Sequence, residues 1–366
     1  MRIAVLYGNM SENNSKDEQD GLVQVESVSQ ALSELNHDPV PVSFSLDIKE
    51  TLRKIAEINP ALVFNLVESI DGQGRLIHIA PSILDAMNMA YTGAGADAIY
   101  TTSNKILAKQ MLKGARIPTP FFVTQDKTQD ITQDITRDKT RNKIGQRKTP
   151  LCNPGIIKSV WEHGSVGIGY DSVVFPRTYN QLLQEMDRRK DQLGGACFAE
   201  AFIEGREFNL SLLAKNGNGI PQVLPPAEIC FENYPKGRHK IVDYKAKWES
   251  ESFEYQNTVR SFDFPDHDKP LLNRIIKIAM ECWKLFNLKG YARVDFRVDD
   301  SGNPWVLEVN TNPCIAPDSG FVAAAGKANL TFKHIIERII HEPMVQIADR
   351  LHAESEELSW KIAVNA

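Results

Sequence analysis

Near the C-terminal end, Gly290-Tyr291-Ala292-Arg293-Val294-Asp295-Phe296-Arg297-Val298 and Trp305-Val306-Leu307-Glu308-Val309-Asn310 flank the run Asp-Asp-Ser-Gly-Asn. Apolar and polar residues alternate on either side of a turn sequence, which predicts a β-hairpin turning near Ser301-Gly302. With the turn there, Asp295 faces Glu308 and Arg293 faces Asn310. Side chains two apart on a strand share a face, so one surface carries all four. Two carboxylates and an amide oxygen that close repel one another unless a cation sits between them. Hard oxygen ligands on a rigid hairpin suit Mg²⁺ held jointly with nucleotide phosphates. The plain alternative is the solvated polar face of an edge hairpin.

The 366 residues suffice for two or three domains with a sizeable core. A net charge of -5 argues against a dedicated nucleic-acid binder, and no apolar run approaches membrane-spanning length. The opening Met1-Arg2-Ile3-Ala4-Val5-Leu6-Tyr7-Gly8 reads as a buried strand rather than a signal peptide. Cys152, Cys197, Cys230, Cys282 and Cys314 are odd in number and lack metal-ligand spacing, which predicts reduced thiols and a cytoplasmic protein.

Strands alternate with helical patterns, the mark of α/β architecture. Strands are expected over 2–7, 40–44 and 61–65, with helices after Leu22, over 49–58 and over 77–89; this first unit should close near residue 103. Ser103 is the expected N-cap of a helix over 103–114. From 125 to 149 runs a polar four-residue repeat (Gln-Asp-Ile-Thr, Arg-Asp-Lys-Thr) that cannot bury a core and predicts a mobile surface insertion. Past it, Gly155-Ile156-Ile157-Lys158 is a short strand leading into Trp161-Glu162-His163-Gly164-Ser165-Val166-Gly167-Ile168-Gly169. Such a loop lets backbone N–H groups approach phosphate oxygens, although by itself an ordinary turn fits it equally well. Cys197 to Phe208 reads as strand, turn and strand, with Glu200 and Glu207 flanking the turn. A helix over 271–286 precedes the hairpin, and 311–320 forms a loop entering another helix. His78 and Cys314 read as structural. The basic loop Lys236-Gly237-Arg238-His239-Lys240 fits a cover over phosphates or a solvated turn equally.

Taken in order, Tyr91-Thr92-Gly93-Ala94-Gly95 with Lys105, Lys158 with Gly164 to Gly167, Glu200 to Glu207, Lys247, and Arg293 to Asn310 resemble ATP-grasp ligases of the D-alanine–D-alanine ligase family. The resemblance implies an α/β ATP-grasp fold: an N-terminal parallel α/β unit (1–103), a central α+β unit (104–205, carrying the insertion) and a C-terminal α+β unit (206–345), followed by a tail (346–366). It implies ATP, with two Mg²⁺ ions and Mn²⁺ as a substitute, a small-molecule acceptor and an amino acid as substrates, and a homodimer.

Residue by residue, Lys105 and Lys158 match nucleotide-contacting lysines, and Gly164, Ser165, Val166 and Gly167 match the loop over the phosphates. Glu200, Ala201 and Ile203 match the strand reading the adenine edge, Glu207 the ribose-hydroxyl acceptor, and Lys247 a phosphate-contacting lysine. Asp295, Glu308 and Asn310 match the metal ligands. Arg293 matches the arginine at the transferring phosphate, with Ser165 and Lys247 beside it in the catalytic set. Glu26 and Glu68 are candidates for the first substrate, and Ser319 for the second substrate's carboxylate.

The substrate side departs from the family pattern. Val63 to Ser69 lacks a His-Gly motif, Trp248 replaces a tyrosine, Trp161-Glu162-His163 alters the loop entry, and Cys314 replaces a glycine. A kept nucleotide side with an altered substrate side leads to the expectation of a specialised ligase, such as one joining mycosporine-glycine to an amino acid as an imine. The alternatives are a cell-wall D-alanine–D-alanine ligase or another dipeptide ligase, and, more remotely, an inactive nucleotide-binding regulator.

Overall fold

Three sheets succeed one another along the chain. The computed structural model describes residues 1–9, 16–125, 154–215, 219–345 and 347. The repeat insertion, save Gln125, and the tail, save residue 347, therefore lie outside the described residues, as does Cys152.

The first sheet joins β1 (Arg2–Gly8), β2 (Asp38–Phe44) and β3 (Leu62–Leu66), all parallel, in the order β2-β1-β3. Every residue of β3 is buried, as the near-continuous apolar run of a parallel strand requires. The second sheet is antiparallel, with β4 (Phe122–Thr124), β5 (Gly155–Ser159), β6 (Val173–Val174) and β7 (Cys197–Ala201) in the order β4-β7-β5-β6. The third holds β8 (Arg206–Ala214), β9 (Pro221–Val223), β10 (Ala227–Phe231), β11 (Thr258–Ser261), β12 (Tyr291–Val298) and β13 (Pro304–Asn310). Its order is β11-β10-β8-β12-β13, with β9 on β8. Parallel and antiparallel sheets with interspersed helices bear out the expected α/β class.

The polypeptide passes from the second sheet to the third in four residues, Phe202 to Gly205. Gly205 has φ +131°, and a Cβ there would stand 2.0 Å from the Val298 carbonyl oxygen, so only glycine fits this crossing. Helices Ala96–Ser103, Lys105–Gly114 and Lys269–Leu285 cover one face of the third sheet; Ile99, Leu112, Ile275 and Trp283 share a core with Phe208, Val294 and Phe296. A second core joins Ile3, Val5 and Val28 of the N-terminal unit to Leu213, Tyr291 and Phe321, fixing the first sheet against the third.

One cap differs from expectation. Ser103 ends one helix, and Asn104 caps the next by accepting from the Leu107 N–H at 3.0 Å. Asparagine competes well with serine here because its short amide oxygen reaches the orphan N–H groups of the first turn.

Candidate active site

A cleft of about 530 Å³ opens between the second and third sheets and is closed on a third side by Asp20 and Glu68 of the N-terminal unit. That is within the range, roughly 300–1,000 Å³, that binds small molecules.

Its floor is the β12–β13 hairpin. Arg293 pairs with Asn310 and Asp295 with Glu308, as the sequence predicts. Beyond that point the register slips: Phe296 pairs with Val306, leaving Leu307 as the extra residue of a bulge. β12 is not an edge strand, because its other side pairs with β8 and sets Asp295 opposite Asn209. The Asn209 Nδ2 donates to Asp295 Oδ1 at 2.8 Å. Arg293 grips the same carboxylate through Nε (2.7 Å) and Nη2 (2.8 Å), and stands 4.0 Å from Glu308. The Asn310 Oδ1 accepts the Asn312 N–H, which fixes the amide with one lone pair still available.

Glu308 accepts no hydrogen bond among the described residues, and its one ion pair there is with Arg293 at 4.0 Å. Burial alone would raise its pKa. Lys105 and Lys247, with help from His163 and Arg293, outweigh burial and hold the carboxyl below the usual glutamate range. Among the described residues no three His, Cys, Asp or Glu side chains gather into a metal cage. Two carboxylates and one amide oxygen instead fit a hard cation that completes its shell from phosphate and water, as Mg²⁺ does.

The lysines reach the cleft by different routes. Lys105 donates to the Glu162 carbonyl at 2.6 Å, and burial lowers its pKa. Lys158 is held by Glu200 at 2.6 Å, and the same carboxylate takes Lys109 at 2.6 Å from behind. Glu200 thus spends its charge on positioning lysines, leaving Ala201, Phe202 and Ile203 to line the cleft beside it. Glu207 also lines the cleft and pairs with Arg297 at 2.8 Å. Lys247 sits opposite, its pKa lowered by burial and by the charge of Arg293.

Glycine-rich loop residues Gly164, Ser165 and Val166 face the cleft. They are tied across it to the segment leading to Lys247: Ser165 Oγ donates to the Val242 carbonyl at 2.8 Å, Trp248 Nε1 donates to the Gly164 carbonyl at 2.9 Å, and the Tyr244 N–H donates to the Ile168 carbonyl at 3.1 Å. Gly167 stands behind the lining; its carbonyl accepts from the buried Arg189 at 3.1 Å. The basic loop does not face the cleft. Arg238 pairs with Glu254, and the His239 ring packs among Tyr170, Phe175 and Phe202.

On the substrate side, Glu68 and Ser319 reach the cleft and Glu26 does not. Glu26 is exposed on helix Lys16–Glu34, where Asp20 lines the cleft and the buried Gln24 stands behind Glu68. Gln24 donates to Glu68 at 2.8 Å and accepts the Ile315 N–H at 2.9 Å, while Asp20 accepts from the Cys314 thiol at 2.9 Å. The reason is helical phase: at about 100° per residue, Glu26 points roughly 200° away from Gln24. The half-buried Asp20 and the buried Gln24 extend the line of the buried Val28 at four-residue spacing, a signal present in the sequence and obscured by their polarity. Cys314 is a packing thiol: burial, Glu68 and Asp20 all push its pKa up, away from the thiolate that nucleophilic chemistry needs. His163 and Arg260 also line the cleft, and the sequence alone marked neither as a binding residue.

Residues 111–341 match the family model described as D-ala D-ala ligase C-terminus. The chain is 28% identical over 344 residues to a D-alanine–D-alanine ligase of Carboxydothermus hydrogenoformans, covering 93% of this chain and 97% of that protein. It is 26% identical to the uncharacterized protein y4sG of Sinorhizobium fredii, covering 86% and 85%. Its fold is shared with the D-alanine–D-alanine ligase of Bacillus anthracis complexed with ATP, at TM-score 0.67 and 20% identity over 96% of this chain and 99% of that one. The fold is that of the ATP-grasp ligases, and the chain belongs to the D-ala D-ala ligase C-terminus family, whose chemistry is ATP-dependent C–N bond formation.

Proposed function

We propose that the protein joins two amino acids with ATP as the energy source, in the manner of D-alanine–D-alanine ligases and related dipeptide ligases. The observation that carries this reading is one cleft holding Asp295, Glu308 and Asn310 on one floor and Lys105, Lys158, Lys247 and Arg293 around it. The lysines would neutralise the triphosphate, so that a substrate carboxylate oxygen can approach the γ-phosphorus. Mg²⁺, one ion or two, bound by Asp295, Glu308 and Asn310 would supply the remaining positive charge. Attack of an amine on the resulting acyl phosphate would pass through an oxyanion that Arg293 would stabilise, and its collapse would form the C–N bond and release phosphate; one such donor contributes about 10²–10³ in rate. Gly164 to Val166, held by Trp248 and Val242, would keep water from the acyl phosphate.

The named relatives favour this reading over mycosporine-glycine as acceptor. His163, Trp248 and Cys314 all line the cleft, so the substrate side differs from the family pattern where it meets substrate. The test is ADP release with ATP and Mg²⁺, comparing D-alanine alone with mycosporine-glycine plus a panel of L-amino acids, and identifying products by mass. Turnover with D-alanine supports the dipeptide reading. Turnover confined to mycosporine-glycine with an amino acid would replace it.

A further inference from the structure

The basic loop at 236–240 stays outside the cleft, yet it runs straight into the cleft wall: the next residues, Ile241 and Val242, both line it. Between β10 and the helix Tyr244–Trp248 this strap has no helix or strand of its own. Side-chain contacts hold it instead. Arg238 pairs with Glu254, the His239 ring sits among Tyr170, Phe175 and Phe202, and the Val242 carbonyl accepts from Ser165 at 2.8 Å. Ile241 packs beside Ile156 and Phe202, and the three give the cleft an apolar end.

Arg297 joins the strap to the third sheet. It follows Asp295 by two residues on β12, so Arg293, Asp295 and Arg297 share a face. The register of β12 on β8 sets Arg297 opposite Glu207, just as it sets Asp295 opposite Asn209. The buried guanidinium lies 5.6 Å from the Phe202 ring and 5.4 Å from that of Phe231. It divides its donors among Glu207 Oε2 at 2.8 Å, the Gly205 carbonyl at 3.3 Å and the Lys240 carbonyl of the strap. A rigid planar fork reaches acceptors spread across its width, which a compact ammonium does not.

Glu207 thereby stands between the two halves of the cleft. Asp295, Glu308 and Asn310 mark the half suited to metal and phosphate, and Phe202 and Ile241 mark the apolar half. Two residues of strand separate Asp295 from Arg297, about 7 Å, which is the scale of the sugar joining a base to its phosphates. With Oε2 on Arg297, Glu207 Oε1 is left to accept sugar hydroxyls.

We propose that Arg297 is a positioning residue that couples sugar recognition to closure of the strap. A ribose hydroxyl on Glu207 fixes the carboxylate, the carboxylate fixes the guanidinium, and the guanidinium holds the Lys240 carbonyl. That hold keeps Ile241 over the base and Val242 on Ser165 of the glycine-rich loop. Such coupling is reciprocal, so a closed strap tightens the grip on ribose by the same factor. The assignment rests on the ligase reading above only for a nucleoside triphosphate in the cleft.

Trypsin reports on the strap directly, because Lys236, Arg238 and Lys240 lie on it. The wild-type protein, with Mg²⁺ and without any amino acid, is digested briefly alone, with ATP, or with 2′,3′-dideoxyATP, and the cuts are mapped by peptide mass. Calorimetry establishes binding and the saturating concentration of each nucleotide. ATP should slow cutting at the three sites at least about fivefold more than dideoxyATP, the lower end of ordinary coupling between sites. Equal protection by the two bound nucleotides overturns the coupling and leaves the ligase reading standing; binding of neither removes both. Arg297→Lys keeps a charge beside Glu207, so that carboxylate is not left unpaired. Its strap should be cut faster than the parent's without nucleotide, and protection by ATP and by dideoxyATP should converge. Cuts confined to the strap distinguish its release from general unfolding; if cuts spread along the variant chain, the wild-type comparison decides by itself. Parent-like cutting of the strap in Arg297→Lys, or a parent-like difference between the two nucleotides, overturns the proposal.

Discussion

Replacing Glu200 by Gln should be among the most damaging single changes in the protein. The Glu200 carboxylate lies 2.6 Å from Lys109 on one oxygen and 2.6 Å from Lys158 on the other, and the Lys109 and Glu200 side chains are each 1% exposed. Lys109 also donates to Thr119 Oγ1 at 3.0 Å, and that hydroxyl donates to the Val306 carbonyl of β13 at 2.9 Å, so the triad ties the second sheet to the hairpin. A glutamine there leaves two neighbouring ammonium groups without a counter-charge, and removing one partner of a buried ion pair costs about 3–5 kcal/mol. Lys109→Met leaves Glu200 still paired with Lys158 and should cost less, about 1–3 kcal/mol. In the double variant only Lys158 remains, 16% exposed and able to reach the cleft, so part of the Glu200→Gln loss should return.

The assay is urea unfolding of the four proteins of this cycle, compared by midpoint because a multi-unit chain need not unfold in two states. KM for ATP should rise in Glu200→Gln, where Lys158 loses its anchor, and change little in Lys109→Met. Losses that add within about 0.5 kcal/mol in the double variant would refute the triad as a coupled unit. The pH dependence has a definite sign. Burial pushes the Glu200 carboxyl up, but Lys109 and Lys158 outweigh it and hold the pKa below the ordinary glutamate value. The contribution is therefore fully present above the unfolded-state pKa and disappears only as pH falls through the depressed folded value.

Trp248→Phe keeps the ring and removes the donor to the Gly164 carbonyl; one neutral hydrogen bond, about 0.5–1.5 kcal/mol, should raise the KM for ATP roughly 2–10-fold and increase ATP hydrolysis without amine. Unchanged values of both would show that this bond does not hold the loop. Gly205→Ala places a Cβ against the Val298 carbonyl at φ +131°; backbone strain alone costs about 1–3 kcal/mol, and a thermal midpoint equal to the parent's would contradict the crossing geometry. Burial, aided by the Lys105 charge, lowers the His163 pKa from 6.5 to about 3. The unfolded chain then binds the extra proton between those values, so stability should fall as pH drops from 6.5 toward 3, by at most about 1.4 kcal/mol per pH unit. His163→Asn should flatten that slope in thermal unfolding at graded pH, and an identical slope would place the titration elsewhere.

Much of the site was legible because strand geometry is local. Alternation along two short runs and one turn placed Asp295 opposite Glu308 and Arg293 opposite Asn310, and the structure keeps those pairs. The bulge at Leu307 was not legible, since a run of alternating residues does not say where one partner strand takes an extra residue. The lysines and the glycine-rich loop were recognisable by order and spacing; that Glu200 binds two lysines was not, because Lys109 lies far from it in sequence.

The sequence by itself determined the α/β class and the cross-strand pairs of the hairpin, which follow from periodicity within short windows, and the family resemblance, which rests on motifs spread from Tyr91 to Asn310. Tertiary structure alone decided which side chains meet. Helical phase turned Glu26 outward, brought Asp20 to the cleft and buried Gln24 against Glu68, and the four-residue crossing at Gly205 carried the chain from the second sheet to the third. Local propensity acts over a few residues, whereas burial and charge pairing are settled only when distant segments pack, and the partners of a buried or cleft-facing group are fixed at that stage.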